Sequence, residues 1–242
     1  MTRSLSIIIP AYNEQARLPE TLQRILQYLS TTDWISREIL VVDDGSTDDT
    51  FEVASQFAAK NPEIRVLRNP GNKGKGYSVR HGMLEAKGDW RLFTDADLSA
   101  PIDELPKLTQ AVADGKFTVA IGSRAIDPSL IGIHQPGFRE NAGRAFNAVM
   151  RMAVGLPIAD TQCGFKLFRG DVAELVFSRQ RLERFGFDVE VLYIAAKYGH
   201  KIAEIPVRWN HAEGSKVGML NGLQAFTELA QVRWNDLRGY YR

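Results

Sequence analysis

The feature that most constrains the fold is an alternation of short apolar, β-branched runs with longer segments of helical periodicity. Leu5–Ile9, Glu38–Val42 and Ile64–Leu67 are runs of the first kind, and Gln15–Leu29 carries Leu and Ile at helical spacing. Strands buried on both faces are nearly continuous apolar runs, and strands alternating with helices build a parallel sheet covered on both sides. The sequence therefore predicts an α/β fold, a Rossmann-like, mostly parallel sheet flanked by helices.

The rest of the chain continues this alternation. Strands are predicted at Trp90–Phe93, Thr118–Ile121, Phe165–Phe168 and Ile202–Val207, and helices at Gly76–Ala86, Leu105–Ala113, Arg139–Val154, Asp188–Tyr198 and Met219–Tyr241. The stretch Ala125–Gly137 is rich in Pro, Gly and Ser and lacks periodicity, so we expect a mobile loop there. Because no repeat or clear linker interrupts the chain, residues 1–242 are expected to form a single domain.

Composition argues against several classes of protein. The 242 residues include 30 Lys and Arg and 29 Asp and Glu, a balance that argues against a nucleic-acid partner, since such domains are normally basic. Cys163 is the single cysteine, so no intrachain disulfide can form and a reducing compartment is indicated. No apolar run reaches the ~18 residues of a membrane span. We expect a cytoplasmic protein and leave open a peripheral contact with the cytoplasmic membrane face and oligomerisation.

Acidic side chains follow three of the predicted strands. They are Glu14 after the first strand, Asp43 and Asp44 after the second, and Asp95 and Asp97 after the fourth. Parallel strands end at one edge of the sheet, where ligands bind, and carboxylates crowded there need a compensating cation. Alternate residues of Asp95-Ala96-Asp97 point the same way and suit Mg²⁺ or Mn²⁺, which often share substrate phosphates. Taken alone, the same residues more often form a turn or a helix cap.

A glycine-rich stretch precedes the helix predicted at Gly76–Ala86. In Asn72-Lys73-Gly74-Lys75-Gly76 the glycines permit a close approach of the backbone, and a helix N-terminus favours phosphate. The same residues also fit a solvated turn with two lysines. The pattern is neither a P-loop nor a dinucleotide-binding G-x-G-x-x-G.

Several motifs together resemble those of the family 2 glycosyltransferases with the GT-A fold. In the first half these motifs are Ser6–Glu14 (SIIIPAYNE), Val41–Asp48 (VVDDGSTD) and Asp95–Asp97 (DAD). Motifs of the second half resemble the dolichyl-phosphate β-glucosyltransferases and, less closely, the dolichyl-phosphate mannose synthases. They are Gly122–Arg124 (GSR), Asp160–Phe168 (DTQCGFKLF), Phe187–Glu190 (FDVE), Ile205–Trp209 (IPVRW) and Gly214–Lys216 (GSK).

The resemblance implies an inverting, metal-dependent enzyme that moves a hexose, glucose from UDP-glucose, onto a polyprenyl phosphate. Residues 1–122 would form a nucleotide-binding half and residues 123–242 an acceptor-binding half. The nucleotide sugar would contact Pro10, Tyr12, Glu14, Asp43, Asp44, Lys73, Asp95, Ala96, Ser215 and Lys216. The catalytic residues would be Asp97, Gln162 and Arg124. Asp97 would hold the metal together with Asp95, and Gln162 would lie near the transferred sugar. Arg124 would contact the acceptor phosphate together with Arg139.

Other functions remain open at this point. An enzyme of the same fold could use GDP-mannose, or a soluble glycan or hydroxyl acceptor that needs a carboxylate base, for which Asp160 and Asp188 are candidates. A nucleotidyltransferase would also bind a nucleotide through metal-held phosphates. A non-catalytic sugar-nucleotide-binding or membrane-adaptor protein is the third alternative.

Overall fold

A sheet of seven strands organises the chain, in a computed structural model that describes residues 3–133, 155–210, 228 and 230–242. The described strands are β1 Ser4–Ala11, β2 Ser36–Asp43, β3 Ile64–Arg68, β4 Trp90–Thr94, β5 Val119–Ser123, β6 Ile131–Ile133, β7 Phe165–Arg169, β8 Ile202–Pro206 and β9 Trp209–Asn210. The described helices are α1 Leu18–Ser30, α2 Thr50–Lys60, α3 Lys75–Glu85, α4 Leu105–Ala111, α5 Gly170–Arg179, α6 Phe187–Lys197 and α7 at residues 230–237. The alternation predicted from the sequence is confirmed, and α5 is an additional helix that it did not predict.

The strand order of the large sheet is β3-β2-β1-β4-β7-β5-β8. All neighbouring strands are parallel except β7, which runs antiparallel to both β4 and β5. The mostly parallel sheet predicted from the sequence is therefore confirmed. The chain adds β2 and β3 on one side of β1 and β4 on the other, and ligands bind in open α/β sheets where the strand order reverses in this way.

Helices cover both faces of this sheet. Successive residues of a strand point to opposite faces, so Ile8 packs in one core cluster with residues of α3, α5 and α6. Ile7 and Ile9 pack in a second cluster with residues of α1 and α4. All three isoleucines are fully buried, which explains why the first strand is an unbroken apolar run.

One prediction for the second half needs correction, and two others fall wholly or partly outside the described residues. The stretch Ala125–Gly137 is not simply an irregular loop, because Pro128–Leu130 forms a 3₁₀ turn and the backbone of β6 then pairs in parallel with β9. The predicted helix Arg139–Val154 lies outside the described residues, as does the first part of the helix predicted at Met219–Tyr241. Within the described residues, no helix is both long and apolar enough to cross a bilayer.

The contact of α3 with the sheet yields the first testable prediction. A Cβ on Gly82 would lie 2.9 Å from a Val42 methyl carbon and closer still to Ile8, so Gly82→Ala forces α3 away from β1 and β2. We expect a loss of about 1–3 kcal/mol in the free energy of unfolding, measured in urea, through overpacking. Helix propensity alone would raise stability by up to ~1 kcal/mol, so a variant at least as stable as the parent would contradict this packing.

Candidate active site

One edge of the sheet collects nearly all the described residues singled out in the sequence. Asp43 ends β2, and Asp95 follows directly after β4. Because β7 is antiparallel, the loop before it, Asp160–Gly164, lies at the same edge, with Phe165 opposite Thr94. The first turn of α6 brings Asp188 to this edge as well, where Asp95 and Lys75 influence its pKa. The antiparallel strand thus joins the second-half motifs to the first-half carboxylates.

Lys75, the first residue of α3, forms the central ion pair of this edge. Its Nζ lies 2.6 Å from Oδ1 of Asp95. Burial by itself would lower the pKa of Lys75, but the negative charges of Asp95, Asp188 and Asp97 outweigh burial and raise that pKa above its usual value. Lys75 therefore stays charged and neutralises Asp95.

A second lysine lies deeper in the sheet. Lys166 of β7 is fully buried, pairs with Asp188, and donates a hydrogen bond of 2.6 Å to the carbonyl of Cys163. Its ammonium also lies 5.0 Å from the centre of the Phe93 ring, within cation–π range. Burial raises the pKa of the Asp188 carboxyl above its ordinary value, and the positive charges of Lys166 and Lys75 oppose that rise.

Asp97 differs from its acidic neighbours in having no cationic partner. Its Oδ1 accepts a hydrogen bond of 2.9 Å from the Ser99 amide, and no ion pair to it exists among the described residues. Burial first, and then repulsion from Asp95, raise the pKa of Asp97 above the usual range. Both effects would be relieved by a cation beside the carboxylate.

The charges of the site favour a divalent cation shared with a ligand. Asp95, Asp160 and Asp188 each form an ion pair with one cation of the protein, namely Lys75, Arg124 and Lys166. Asp97 forms no ion pair with a described residue, and the nearby charge of Lys75 only partly offsets its own. In the described ranges no group of three or more His, Cys, Asp or Glu side chains forms a complete metal cage. Mg²⁺ commonly uses one or two carboxylates together with substrate phosphates, which fits Asp97 and Asp95.

Arg124, directly after β5, is held by Asp160. Its Nε and Nη2 donate bidentate hydrogen bonds of 2.6 and 2.8 Å to the two carboxylate oxygens, and its guanidinium lies 5.3 Å from the Trp209 ring centre. Burial would raise the pKa of Asp160, but the charge and hydrogen bonds of Arg124 outweigh it and keep that pKa below its usual range. Asp160 is therefore an orienting partner of Arg124, and this environment does not suit a general base.

The loop between Asp160 and β7 contains buried polar atoms and a required glycine. Thr161 Oγ1 and Gln162 Nε2 are buried and have no hydrogen-bond partner among the described residues. A Cβ on Gly164 would lie 2.7 Å from Oδ1 of Asp95, so only glycine lets this loop pass so close to the carboxylate. Cys163 is buried, and burial raises the pKa of its thiol to about 12, as befits a packing residue.

Asp44 organises the glycine-rich stretch that precedes α3. Its carboxylate accepts hydrogen bonds from the amides of Lys73 (3.0 Å) and Gly74 (2.8 Å), and from the side chain of Asn69 (2.8 Å). The side chain of Lys73 itself is exposed, whereas Lys75 reaches Asp95. Of the two lysines in this stretch, Lys75 is therefore the one that contacts a carboxylate of the Asp95-Ala96-Asp97 motif.

The other residues predicted at the nucleotide side also lie at the ends of β1 and β2. Pro10 lies on β1, and the Glu14 carboxylate binds Arg17 at 2.7 Å just beyond Tyr12. One oxygen of the buried Asp43 accepts the Ser46 amide, while the other lies 3.2 Å from Nε of Arg68 without a well-directed hydrogen bond. Ala96 is buried, and its carbonyl accepts the Thr21 hydroxyl.

Some predicted residues cannot be placed, and two important ones were missed. Arg139, Ser215 and Lys216 lie outside the described residues. Neither Lys75 nor Lys166 was predicted from the sequence to have a role in the site. A usable signal existed for Lys166, since a lysine within an apolar buried strand needs a partner.

The amino-acid sequence of this chain is similar to those of known glycosyltransferases. The family described as Glycosyl transferase family 2 matches residues 6–177. The human dolichyl-phosphate beta-glucosyltransferase is 36% identical, aligned over 100% of this chain and 78% of that protein. The Drosophila melanogaster dolichyl-phosphate beta-glucosyltransferase is 38% identical over 88% of this chain and 69% of that protein.

Solved structures resemble the fold. Glucosyl-3-phosphoglycerate synthase from Mycobacterium tuberculosis, crystallised with Mn²⁺, UDP-glucose and phosphoglyceric acid, superposes with a TM-score of 0.68 at 20% identity, covering 95% of this chain and 79% of that one. The same enzyme has been crystallised with Mg²⁺ and UDP. At this identity the likeness establishes the fold alone, and it agrees with the predicted GT-A arrangement.

The Arg124–Asp160 pair generates a stability prediction with a matched control. Asp160→Asn leaves the half-buried guanidinium without its charged partner, and we expect the free energy of unfolding to fall by about 3 kcal/mol. Asp171 binds Arg169 with the same bidentate geometry, but both side chains are exposed, so Asp171→Asn should change stability by at most ~0.5 kcal/mol. Equal effects of the two substitutions in urea unfolding would show that Asp160 does not anchor Arg124.

A second prediction concerns the lysine beside the D-x-D carboxylates. Lys75→Met leaves Asp95 and Asp97 side by side without a cation, so metal-free stability should fall by about 1–3 kcal/mol. Mn²⁺ should stabilise this variant more than the parent in thermal unfolding, because two carboxylates then need compensation. Lys60→Met, at the exposed C-terminal end of α2, is the control and should behave like the parent. An identical response of the two variants to Mn²⁺ would contradict the assigned role of Lys75.

Proposed function

The chain belongs to glycosyl transferase family 2, and on this premise we propose that it transfers glucose from UDP-glucose to a polyprenyl phosphate of the dolichyl type. The acceptor oxygen attacks the anomeric carbon, the bond from that carbon to UDP breaks, and the configuration inverts. The dolichyl-phosphate beta-glucosyltransferases to which it is similar over nearly its full length support this choice of donor sugar and acceptor.

The unneutralised carboxylate of Asp97 is the observation that carries the donor side of this proposal. Asp97 and Asp95 would hold Mg²⁺ or Mn²⁺ against the donor diphosphate, and the cation would stabilise the charge that develops on the leaving UDP. Lys75 keeps Asp95 oriented by its 2.6 Å ion pair. The D-x-D pair without a third protein ligand among the described residues suits a metal that arrives with the nucleotide.

The state of the two candidate bases favours a phosphate acceptor. Asp160 is clamped by Arg124, and Asp188 pairs with the buried Lys166, so neither environment suits proton abstraction from a sugar hydroxyl. A phosphate is largely ionised near neutral pH and needs no strong base. It needs a cation, and Nη1 of Arg124, which makes no hydrogen bond with the described residues, is placed to supply one, with Arg139 as the second proposed contact.

The remaining site assignments rest on position. Gln162 Nε2 and Thr161 Oγ1, which have no hydrogen-bond partner among the described residues and lie in the loop just after Asp160, would bind hydroxyls of the transferred sugar. Pro10, Tyr12, Asp43 and Asp44 would surround the nucleoside, with Glu14, Lys73 and Ala96 close by. Ser215 and Lys216 would contact the phosphates.

We also propose one domain with a nucleotide-binding half at residues 1–122 and an acceptor-binding half at residues 123–242. Strands of both halves pair in the large sheet, which supports a single unit. A cytoplasmic location agrees with the single, buried Cys163.

The direct test is a substrate screen. The protein is incubated with UDP-glucose, UDP-galactose or GDP-mannose, with Mn²⁺ or Mg²⁺, and with or without a short polyprenyl phosphate, while nucleoside diphosphate release and the lipid product are measured. We expect acceptor-dependent UDP release from UDP-glucose. Release from GDP-mannose alone, or transfer only to a soluble hydroxyl acceptor, would overturn the proposed substrates.

Substitution of Asp97 tests the metal role within this reaction. Asp97→Ala should reduce transfer by at least roughly 10³-fold, because the charge developing on the diphosphate loses its stabilisation, while the free energy of unfolding changes little. Asp114 provides a matched control, since its Oδ1 likewise accepts an amide two residues later, from Lys116 at 2.9 Å. Asp114→Ala should transfer glucose at the parental rate. Parental activity in Asp97→Ala would refute the role of this carboxylate.

A further inference from the structure

The described C-terminal segment exposes an unusual concentration of large apolar side chains. In the described part of the chain five large hydrophobic residues are exposed, and three of them lie in this segment: Trp234 (55% exposed), Leu237 (79%) and Tyr240 (44%). Trp234 and Leu237 are three residues apart on α7 and therefore lie on one side of that helix. Exposed apolar patches of this kind mark interaction surfaces.

This surface is held firmly against the body of the protein. Val232 and Tyr241 are fully buried, and the Tyr241 hydroxyl donates a hydrogen bond to the buried Glu190 of α6. Asp236 accepts a hydrogen bond from the Tyr193 hydroxyl and pairs with Lys197. Because one side of α7 is anchored by these contacts, its apolar opposite side is a fixed feature of the fold.

The charge of the exposed side is entirely basic. Among residues 230–242 the exposed charged positions are Arg233, Arg238 and Arg242, and no acidic side chain is exposed, because Asp236 faces Lys197. Arg233 turns towards the anchored side of α7, where its Nη1 donates a hydrogen bond of 3.2 Å to the Tyr193 hydroxyl. The guanidinium of Arg238 lies 4.9 Å from the Trp234 ring centre. Arg181 is similarly placed 5.5 Å from the Tyr240 ring centre. Arginines flanking exposed Trp, Leu and Tyr match a surface with anionic headgroups above an apolar layer.

We propose that this face, formed by Trp234, Leu237 and Tyr240 with Arg181 and Arg238, docks the protein on an anionic lipid bilayer. A second copy of the chain fits the face less well, since a two-fold contact would bring the same arginines from both copies together without acidic partners. A bilayer supplies both the negative charge and the apolar depth that the face lacks.

The placement of α7 relates this face to the active site. Glu228, at the start of the segment, accepts a hydrogen bond from the Gly186 amide, two residues before Asp188 at the carboxylate-lined edge. Trp234 and Leu237 flank Asp236, which contacts Tyr193 and Lys197 in the second half of α6, so docking would hold the protein on the lipid surface where a polyprenyl phosphate resides. This second step rests on the proposed function, whereas the docking itself does not.

Vesicle sedimentation tests the proposal without any acceptor lipid. The full chain should bind vesicles of phosphatidylglycerol and phosphatidylcholine in equal parts, and bind phosphatidylcholine alone at least roughly tenfold more weakly. Trp234→Glu with Leu237→Glu, and separately Arg181→Gln with Arg238→Gln, should each weaken binding about tenfold or more. The control Ile35→Glu changes an equally exposed apolar residue (66%) outside this face and should bind like the parent.

Several outcomes would overturn the proposal. In the first the parent fails to bind the anionic vesicles, and in the second the substituted chains bind them as well as the parent does; either result contradicts docking. A third such result is light scattering that shows the parent as a dimer and the Trp234→Glu, Leu237→Glu variant as a monomer. Unchanged urea unfolding of the variants confirms that they fold. A separate transfer assay with a short, water-soluble prenyl phosphate distinguishes the two proposals. Variants that lose only docking should keep transfer activity with this acceptor. If the parent itself shows no transfer, the proposed function fails and the docking proposal does not.

Discussion

Charge compensation at the carboxyl edge of the sheet is the constraint on which the site depends. Asp95, Asp160 and Asp188 each have a cationic partner within the protein, and each pair fixes an element of the chain relative to another: α3 to the end of β4, the end of β5 to the loop before β7, and β7 to α6. Asp97 is the member of the group without such a partner among the described residues. A buried or half-buried carboxylate is tolerated when its charge is compensated, so the charge of Asp97 favours a cation beside it.

The antiparallel strand β7 is what allows a short chain to assemble these pairs. If β7 ran parallel to its neighbours, the strand that contains Lys166 would point the other way. The loop Asp160–Gly164 would then lie at the opposite edge of the sheet. Its reversed direction brings Gly164 against Asp95 and the Asp160 carboxylate against Arg124. The need for glycine at position 164 and the Arg124–Asp160 ion pair therefore both follow from the direction of β7. A change at either one would shift the neighbouring carboxylates.

Sequence patterns predicted the strands and most helices because apolar runs and helical spacing report local burial, and they placed Asp43, Asp95 and Asp97 at one edge because parallel strands end together. They could not predict the direction of β7, which is set by pairing between residues far apart in the chain. For that reason the sequence allowed Asp160 to be a general base, although Arg124 holds it in the structure. The sequence also offered no way to tell which of Lys73 and Lys75 reaches the carboxylates. The pairing of β6 with β9 was missed for the same reason, since neither short strand has a periodic pattern of its own.

The same ion pairs that organise the fold also narrow the chemistry. A reaction at a sugar hydroxyl requires a carboxylate that is exposed, unpaired and able to accept a proton at neutral pH. Asp160 is kept ionised and occupied by Arg124, while Asp188 is buried against Lys166. What these arrangements leave available is positive charge, on the open side of Arg124, and an unneutralised acid at Asp97. An ionised acceptor and a metal-bound diphosphate are the reactants that such a distribution can hold together, because each supplies the charge that its part of the site lacks.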